Sequence, residues 1–337
     1  MRKLVEQFGS LESAWNADHK RLMPILDERA LKGLRQKRES VDLTRMMDGF
    51  ERNGISVVTL MDFSYPRLLR EAPGPPPLLF TRGTFSDLDE QAVAIVGTRR
   101  MTTYGREMAA RIAGDLAQAG VTIVSGLALG VDGVAHRAAL EAGGRTIAVL
   151  GGGINRIYPS EHRQLATSVS RAGVLLSEYS PDEKADAPHF PARNRIISGL
   201  SLGVVVIEAP EKSGALITVD FAADQGRDVF AVPGNANSAS SVGCNRLIRD
   251  GARIVRSADD VLEDLRLASA PQIPVQQQIL LDEKDRRLVA VMTSTPQHID
   301  DIAAQSHLSV SQVSVQLMTL ELQGVVRNSG AQHYVRI

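Results

Sequence analysis

From residue 92 onward the chain alternates two apolar patterns. Short runs rich in β-branched residues fall at 93–96, 121–124, 146–150, 174–176, 204–207, 228–232 and 253–255. Stretches with helical spacing lie between them, at 106–119, 131–142, 161–171, 192–200, 215–225 and 244–250. Strands that are apolar on both faces, each followed by a helix, predict an α/β fold with a parallel sheet covered on both sides. Such sheets bind ligands at the carboxyl ends of their strands, so the loops after the strands are where function is sought.

The flanks follow other patterns. Residues 1–53 carry apolar positions at helical spacing, including Leu4, Val5 and Phe8, then Leu43, Met46, Met47 and Phe50, with Ser10 placed as an N-cap. Residues 55–60 read as a strand. The stretch 65–83 holds Pro66, Pro73, Pro75, Pro76 and Pro77, a run that forbids helix and predicts an extended crossing segment at a domain boundary. A Pro- and Gln-rich linker follows the sheet. The last 55 or so residues predict three helices, at 285–292, 299–305 and 309–323, and a two-stranded wing at 325–327 and 334–337: a winged helix-turn-helix. The expected division is a small helical unit at 1–60, a sheet domain at 61–266, a linker at 267–280 and a winged helix at 281–337.

Composition narrows the function. Cys244 is the single cysteine, which excludes an internal disulfide and a cysteine-built metal site. No apolar run approaches the roughly 18–20 residues that span a bilayer, and Met1 does not open a signal peptide, so a cytoplasmic protein with no membrane partner is expected. Net charge is −1, unlike a basic nucleic-acid binder. Yet residues 92–255 hold 15 Arg and 2 Lys against 15 Asp plus Glu. Arginine's planar fork pairs two phosphate oxygens at once, so a local cluster binds phosphate without making the whole chain basic.

The strand ends are rich in glycine, hydroxyls and arginine. The first carries Gly97, Thr98 and Arg99 ahead of a helix start, where free amides and the helix dipole favour an anion. The second carries Ser125, Gly126 and Gly130 before Asp132, which reads as a helix cap, with His136 a core or supporting histidine one turn on. The third passes through Gly153 to Tyr158, a ring that either stacks on a base or plugs the fold. The fourth brings Arg193, Asn194 and Arg195 to a helix start after Phe190 and Pro191, with Glu178 available to pair one arginine. The fifth offers Ser213, Gly214 and Thr218. Five such loops on one sheet edge predict a phosphate-lined groove.

Chemistry-bearing motifs are missing. There is no Walker A sequence, no H-E-x-x-H, no G-x-S-x-G elbow, no metal-ligand spacing and no acidic pair on strand ends. A binder with no catalytic residue, metal or cofactor is expected.

Taken in order, Tyr65-Pro66, Gly97-Thr98-Arg99, the loop from Ser125 to Asp132 with His136, Tyr158-Pro159, Ser177-Glu178-Tyr179, Phe190 to Arg195, Ser213 to Thr218, Gly226-Arg227 and Val232-Pro233-Gly234 resemble the DprA/Smf family. The resemblance implies an extended Rossmann-like domain that binds single-stranded DNA, with Arg99 on phosphate. It further implies a homodimer that protects incoming strands and loads the RecA recombinase in natural transformation. It also implies a SAM-like N-terminal unit, inside which Met1 falls, and an optional C-terminal winged helix. The chain departs from the family pattern at Leu129 and Ser160, where members often carry a basic residue. Arg156 or Arg163 is expected to replace the missing cation at Ser160. Residues 309–323 contain no Lys or Arg and carry Glu321, unlike a helix that reads a major groove, which argues against a transcription regulator. The alternative enzyme reading is a nucleotide phosphoribohydrolase of the lysine-decarboxylase-like Rossmann group. Those enzymes use an Arg and a Glu after a Pro-Gly-Gly run, whereas this chain has Ser213-Gly214-Ala215 without the run or a Glu in the helix that follows.

Overall fold

The computed structural model of the protein describes residues 2–267, 285, 288–289, 291–292, 297–306, 308–322, 326–330 and 332–336. Contacts divide the chain into two units, Met1–Ile273 and Pro274–Ile337. The expected linker lies, from 268 on, outside the described residues.

The first unit opens with five short helices: α1 Arg2–Phe8, α2 Leu11–Asn16, α3 His19–Leu22, α4 Glu28–Ser40 and α5 Leu43–Arg52. Ser10, Asp27 and Asp42 accept backbone N–H bonds at the starts of α2, α4 and α5, satisfying amides that a helix start leaves free. Leu22, Leu31 and Ala17 form a small core of their own there.

The sheet then assembles from β1 Ser56–Thr59, β2 Leu78–Gly83, β3 Ala92–Val96, β4 Thr122–Ser125, β5 Thr146–Val149, β6 Val174–Ser177, β7 Gly203–Val206, β8 Asp228–Ala231 and β9 Arg253–Ile254. Its helices are α6 Arg67–Glu71, α7 Thr103–Gln118, α8 Val131–Glu141, α9 Arg163–Ala172, α10 His189–Gly199, α11 Ala215–Asp224, α12 Val242–Arg249 and α13 Ala258–Asp264. The strand order is β1-β2-β6-β5-β4-β3-β7-β8-β9. All pairings from β6 to β9 are parallel. This is the α/β, Rossmann-like sheet expected. Alternation along β3 explains its two-sided burial. Val93 and Ile95 pack with Ile112, Leu116 and Phe230 on one face. Ala94 and Val96 pack with Ile196, Leu200 and Val219 on the other.

Two expectations are corrected here. The Pro-rich stretch 65–83 is not wholly extended: α6 begins directly after Pro66, whose fixed φ and missing N–H suit a helix start. The same stretch also holds β2, which pairs antiparallel with both β1 and β6. A division at residue 60 therefore runs between two paired strands of one sheet. Arg227 ties α6 to α10 by donating to Leu68 O and Gly199 O.

The second unit contains β10 Gln297–His298, α14 Ile299–Ser306, α15 Val310–Leu322, β11 Val326–Gly330 and β12 His333–Arg336. The three strands form a sheet in the order β10-β12-β11. Leu288, Val289, Ile302, Val313, Leu317 and Leu320 fill its core. This is a winged helix. The expected helix at 285–292 is described only in part, with 286, 287 and 290 outside the described residues.

Candidate nucleic-acid interface

Strand order decides where a ligand can sit. The chain moves from β3 outward to β4, β5 and β6, then returns to place β7 on the other side of β3. Connections leaving β3 and β7 diverge to opposite faces, which opens a crevice at their carboxyl ends. An open groove of about 770 Å³ lies there, lined by residues of the loops after β3 and β7, of α10 and of the start of α11.

Nine of the fifteen expected site residues line it: Gly97, Thr98, Arg99, Tyr158, Arg193, Asn194, Ser213, Gly214 and Thr218. Arg99 and Arg100 are exposed at the rim and form no ion pair among the described residues. The Arg99 guanidinium lies 5.4 Å from the centroid of Phe190, and the Tyr158 ring lies 5.5 Å from Phe190 on its other contact. Tyr158 is 55% exposed, so it presents a face to solvent and is not a buried plug. Two rings tilted by 48°, with a guanidinium over the Phe190 face, make a platform that leaves Tyr158 for planar groups to stack on. Lys212 stands exposed on the lip beside Ser213 and Gly214.

The backbone has to come close for this to work. Gly97 has no room for a side chain, since a Cβ would lie 2.6 Å from Val131 Cγ2. Gly130 sits at φ +83, and a Cβ there would lie 2.3 Å from Thr98 O. It belongs to the loop that supports the arginine loop, and it does not line the groove. Leu129 beside it is exposed.

Other expected residues turn out to build the site from inside. Ser125 is buried and donates to Ile95 O at 2.7 Å. Gly126 packs against the Arg193 guanidinium. Gly153 is buried and donates to Glu183 O at 2.8 Å. Thr218 lines the groove but is only 1% exposed. Arg163 is exposed at the start of α9 and does not line the groove, nor does Arg156.

The two arginines of α10 are corrected most. Arg193 is 4% exposed and donates through Nη1 to Gly126 O at 2.7 Å and to Val149 O. Burial brings its guanidinium down to about 10 despite the Asp132 charge nearby. Asp132 in turn accepts from Gly126 N at 3.1 Å and Ala128 N at 3.3 Å, which makes it a loop clamp at the head of α8. Burial raises its carboxyl above the ordinary value, against the pull of Arg193 and the loop amides. Arg195 pairs with Glu178 and does not line the groove. Asn194 lines the groove partly exposed, donating to Gly214 O at 3.3 Å, whereas Arg193 lines it as a buried group.

Sequence reasoning missed Arg100 and Lys212 as candidates. Both lie next to residues it chose, and only exposure marks them. His136 is fully buried: its Nδ1 meets Thr146 Oγ1 at 2.7 Å, and burial holds its imidazole down at about 3. Among the described residues no group of three His, Cys, Asp or Glu is arranged to hold a metal, and no helix is long and apolar enough to cross a membrane.

The chain matches the family model for DNA recombination-mediator protein A over residues 56–266 and that for the DprA winged helix domain over 256–331. It is 34% identical to Protein Smf of Synechocystis, over all of this chain and 94% of that protein. It is 43% identical to DNA processing protein DprA of Bacillus subtilis, over 66% of this chain and 75% of that protein. The solved structure of DprA from Streptococcus pneumoniae superposes with a TM-score of 0.68 at 35% identity, covering 78% of this chain and 93% of that one. DprA from Helicobacter pylori, described for its single-stranded DNA binding mode, gives 0.57 at 31% identity over 63% and 95%. The chain belongs to the DprA/Smf family of DNA recombination-mediator proteins.

Proposed function

We propose that this DNA-processing protein binds single-stranded DNA in the groove at the carboxyl ends of β3 and β7, without acting on it chemically. The observation that carries the reading is the pair of rim arginines, Arg99 and Arg100, unpaired with acid among the described residues and set beside the Phe190–Tyr158 platform. Cations along a backbone track plus rings for bases are the recognition mode of flexible single strands. Gly97, Thr98, Asn194, Ser213 and Gly214 supply the remaining polar lining, with Lys212 as a third cation. Among the described residues the one carboxylate lining the groove, Asp132, is occupied by two loop amides, which supports binding over catalysis.

The relatives support the same reading, since the Helicobacter pylori protein is described by its single-stranded DNA binding mode. On it rest the finer assignments: a cytoplasmic homodimer that protects incoming strands and passes them to RecA during natural transformation. Ser125, Gly126, Gly130, Gly153, Arg193, Arg195 and Thr218 serve that site as its frame, and Arg163 lies outside the groove.

A salt-dependent titration tests the core of this. Arg99→Ala is expected to weaken binding of an oligothymidylate about tenfold at low salt, the scale of a lost charge-assisted bond. The magnitude of the log–log salt slope is expected to fall by about 0.7, as for one phosphate contact on a single strand. Duplex DNA and nucleoside monophosphate serve as comparators. Wild-type affinity and slope in that variant overturn the reading, and release of a free base from the monophosphate favours the hydrolase.

A further inference from the structure

The loop that carries Arg99 and Arg100 is short, and one residue holds both its feet. Thr98 N donates to Glu208 O at 2.7 Å. Thr102 N donates to Glu208 Oε2 at 2.8 Å, and Thr102 Oγ1 donates to Glu208 Oε1 at 2.8 Å. Ser240 Oγ adds a third donor to the carboxylate, at 2.7 Å to Oε1. Glu208 is 2% exposed, forms no ion pair among the described residues and does not line the groove. Its contacts continue into α7, because Thr102 Oγ1 accepts from Gly105 N at 3.1 Å as the helix cap. Gly105 leaves the space the carboxylate occupies: a Cβ there would lie 2.3 Å from Glu208 Oε2.

A buried negative charge this close to a site for a polyanion works against binding by charge alone. A carboxylate is also the one side chain that accepts from three donors and asks for none in return. We propose that Glu208 is the positioning residue of the nucleic-acid groove, its buried carboxylate holding the 97–102 loop in the shape that stands Arg99 and Arg100 at the rim. The proposal rests on the binding reading above. Ordering the loop before the strand arrives removes that cost from binding.

The two roles of the carboxylate have opposite signs, which makes the test sharp. Glu208→Gln keeps the shape and removes the charge. If Glu208 acted only as a charge, the variant would bind single-stranded DNA more tightly. Positioning predicts weaker binding, about tenfold for loss of charge-assisted bonds, with the salt slope of the wild type because every phosphate contact survives. Gly105→Ala is the companion variant: it keeps the charge, displaces the carboxylate and is expected to weaken binding in the same way. In both, the amide of Thr102, which bonds the carboxylate, exchanges hydrogen faster than in the wild type. Binding at or above wild-type strength in Glu208→Gln overturns the proposal. Should that variant fail to fold, wild-type binding by Gly105→Ala overturns it instead. If Arg99→Ala loses affinity while these two do not, only the positioning role falls. If Arg99→Ala also binds normally, the groove itself is the wrong site.

Discussion

Two pairs of arginines occupy one sheet edge and do opposite work. Arg99 and Arg100, on the loop after β3, are exposed and meet no acid among the described residues. Arg193 and Arg195, two residues apart in the middle of α10, are taken up by the protein itself: Arg193 holds two backbone carbonyls and Arg195 holds Glu178. Residue type is the same in all four. The difference lies in what else is close. A guanidinium surrounded by carbonyls of β5 and the β4–α8 loop is part of the frame. One that projects beyond the last backbone amide is free for a ligand. An arginine count along a sheet edge therefore overstates the number of guanidinium groups left open to a ligand.

The comparison breaks most visibly if a frame arginine is removed. Arg193→Ala leaves Gly126 O and Val149 O buried without a donor, at about 1–3 kcal/mol each. A loss of about 2–5 kcal/mol is expected in urea unfolding, together with loss of DNA binding through the collapsed loop. Unchanged stability in that variant means Arg193 is not a frame residue.

A second effect belongs to the same buried layer. His136 has an imidazole held at about 3 against an ordinary 6.5. Below pH 6.5 the unfolded chain takes up a proton that the folded chain refuses. Stability is therefore full above that pH and lost as pH falls toward 3, with a slope of at most about 1.4 kcal/mol per pH unit. Unfolding midpoints at pH 7 and pH 5 measure it, and His136→Gln is expected to flatten the difference. An unaltered pH dependence in that variant removes His136 from the account.

The smallest expected effect sharpens the rim. Arg100→Ala is predicted to change stability by less than about 0.5 kcal/mol, as an exposed surface substitution does, while weakening single-strand binding a few-fold. A large drop in melting temperature there would place Arg100 with Arg193 and erase the distinction between rim and frame.

Much of the fold was legible. The seven β-branched runs became β3 to β9, and the helices between them fell within a few residues of their expected bounds. The loop after β3 was legible as a candidate because glycine, hydroxyl and arginine coincide at a strand end, and it lines the groove. β2 was not legible, because Leu78–Gly83 follows a proline run and carries no two-sided apolar pattern: it joins the sheet antiparallel, at the flank. The winged helix was legible from its periodicity. Its helix α15 exposes Val315 and Met318, each 68% exposed, and carries no basic residue, as the sequence already indicated.

Order of elements and class of sheet follow from sequence alone, because apolar residues on both faces of successive strands can be buried only between two layers of helices. The division of labour among the polar residues does not. It depends on groups brought together from far apart in the chain: Thr102 and Glu208 are separated by 106 residues, and Arg193 and Val149 by 44. Whether a cation faces solvent or carbonyls is decided by those long-range neighbours, and only the packed tertiary structure supplies them.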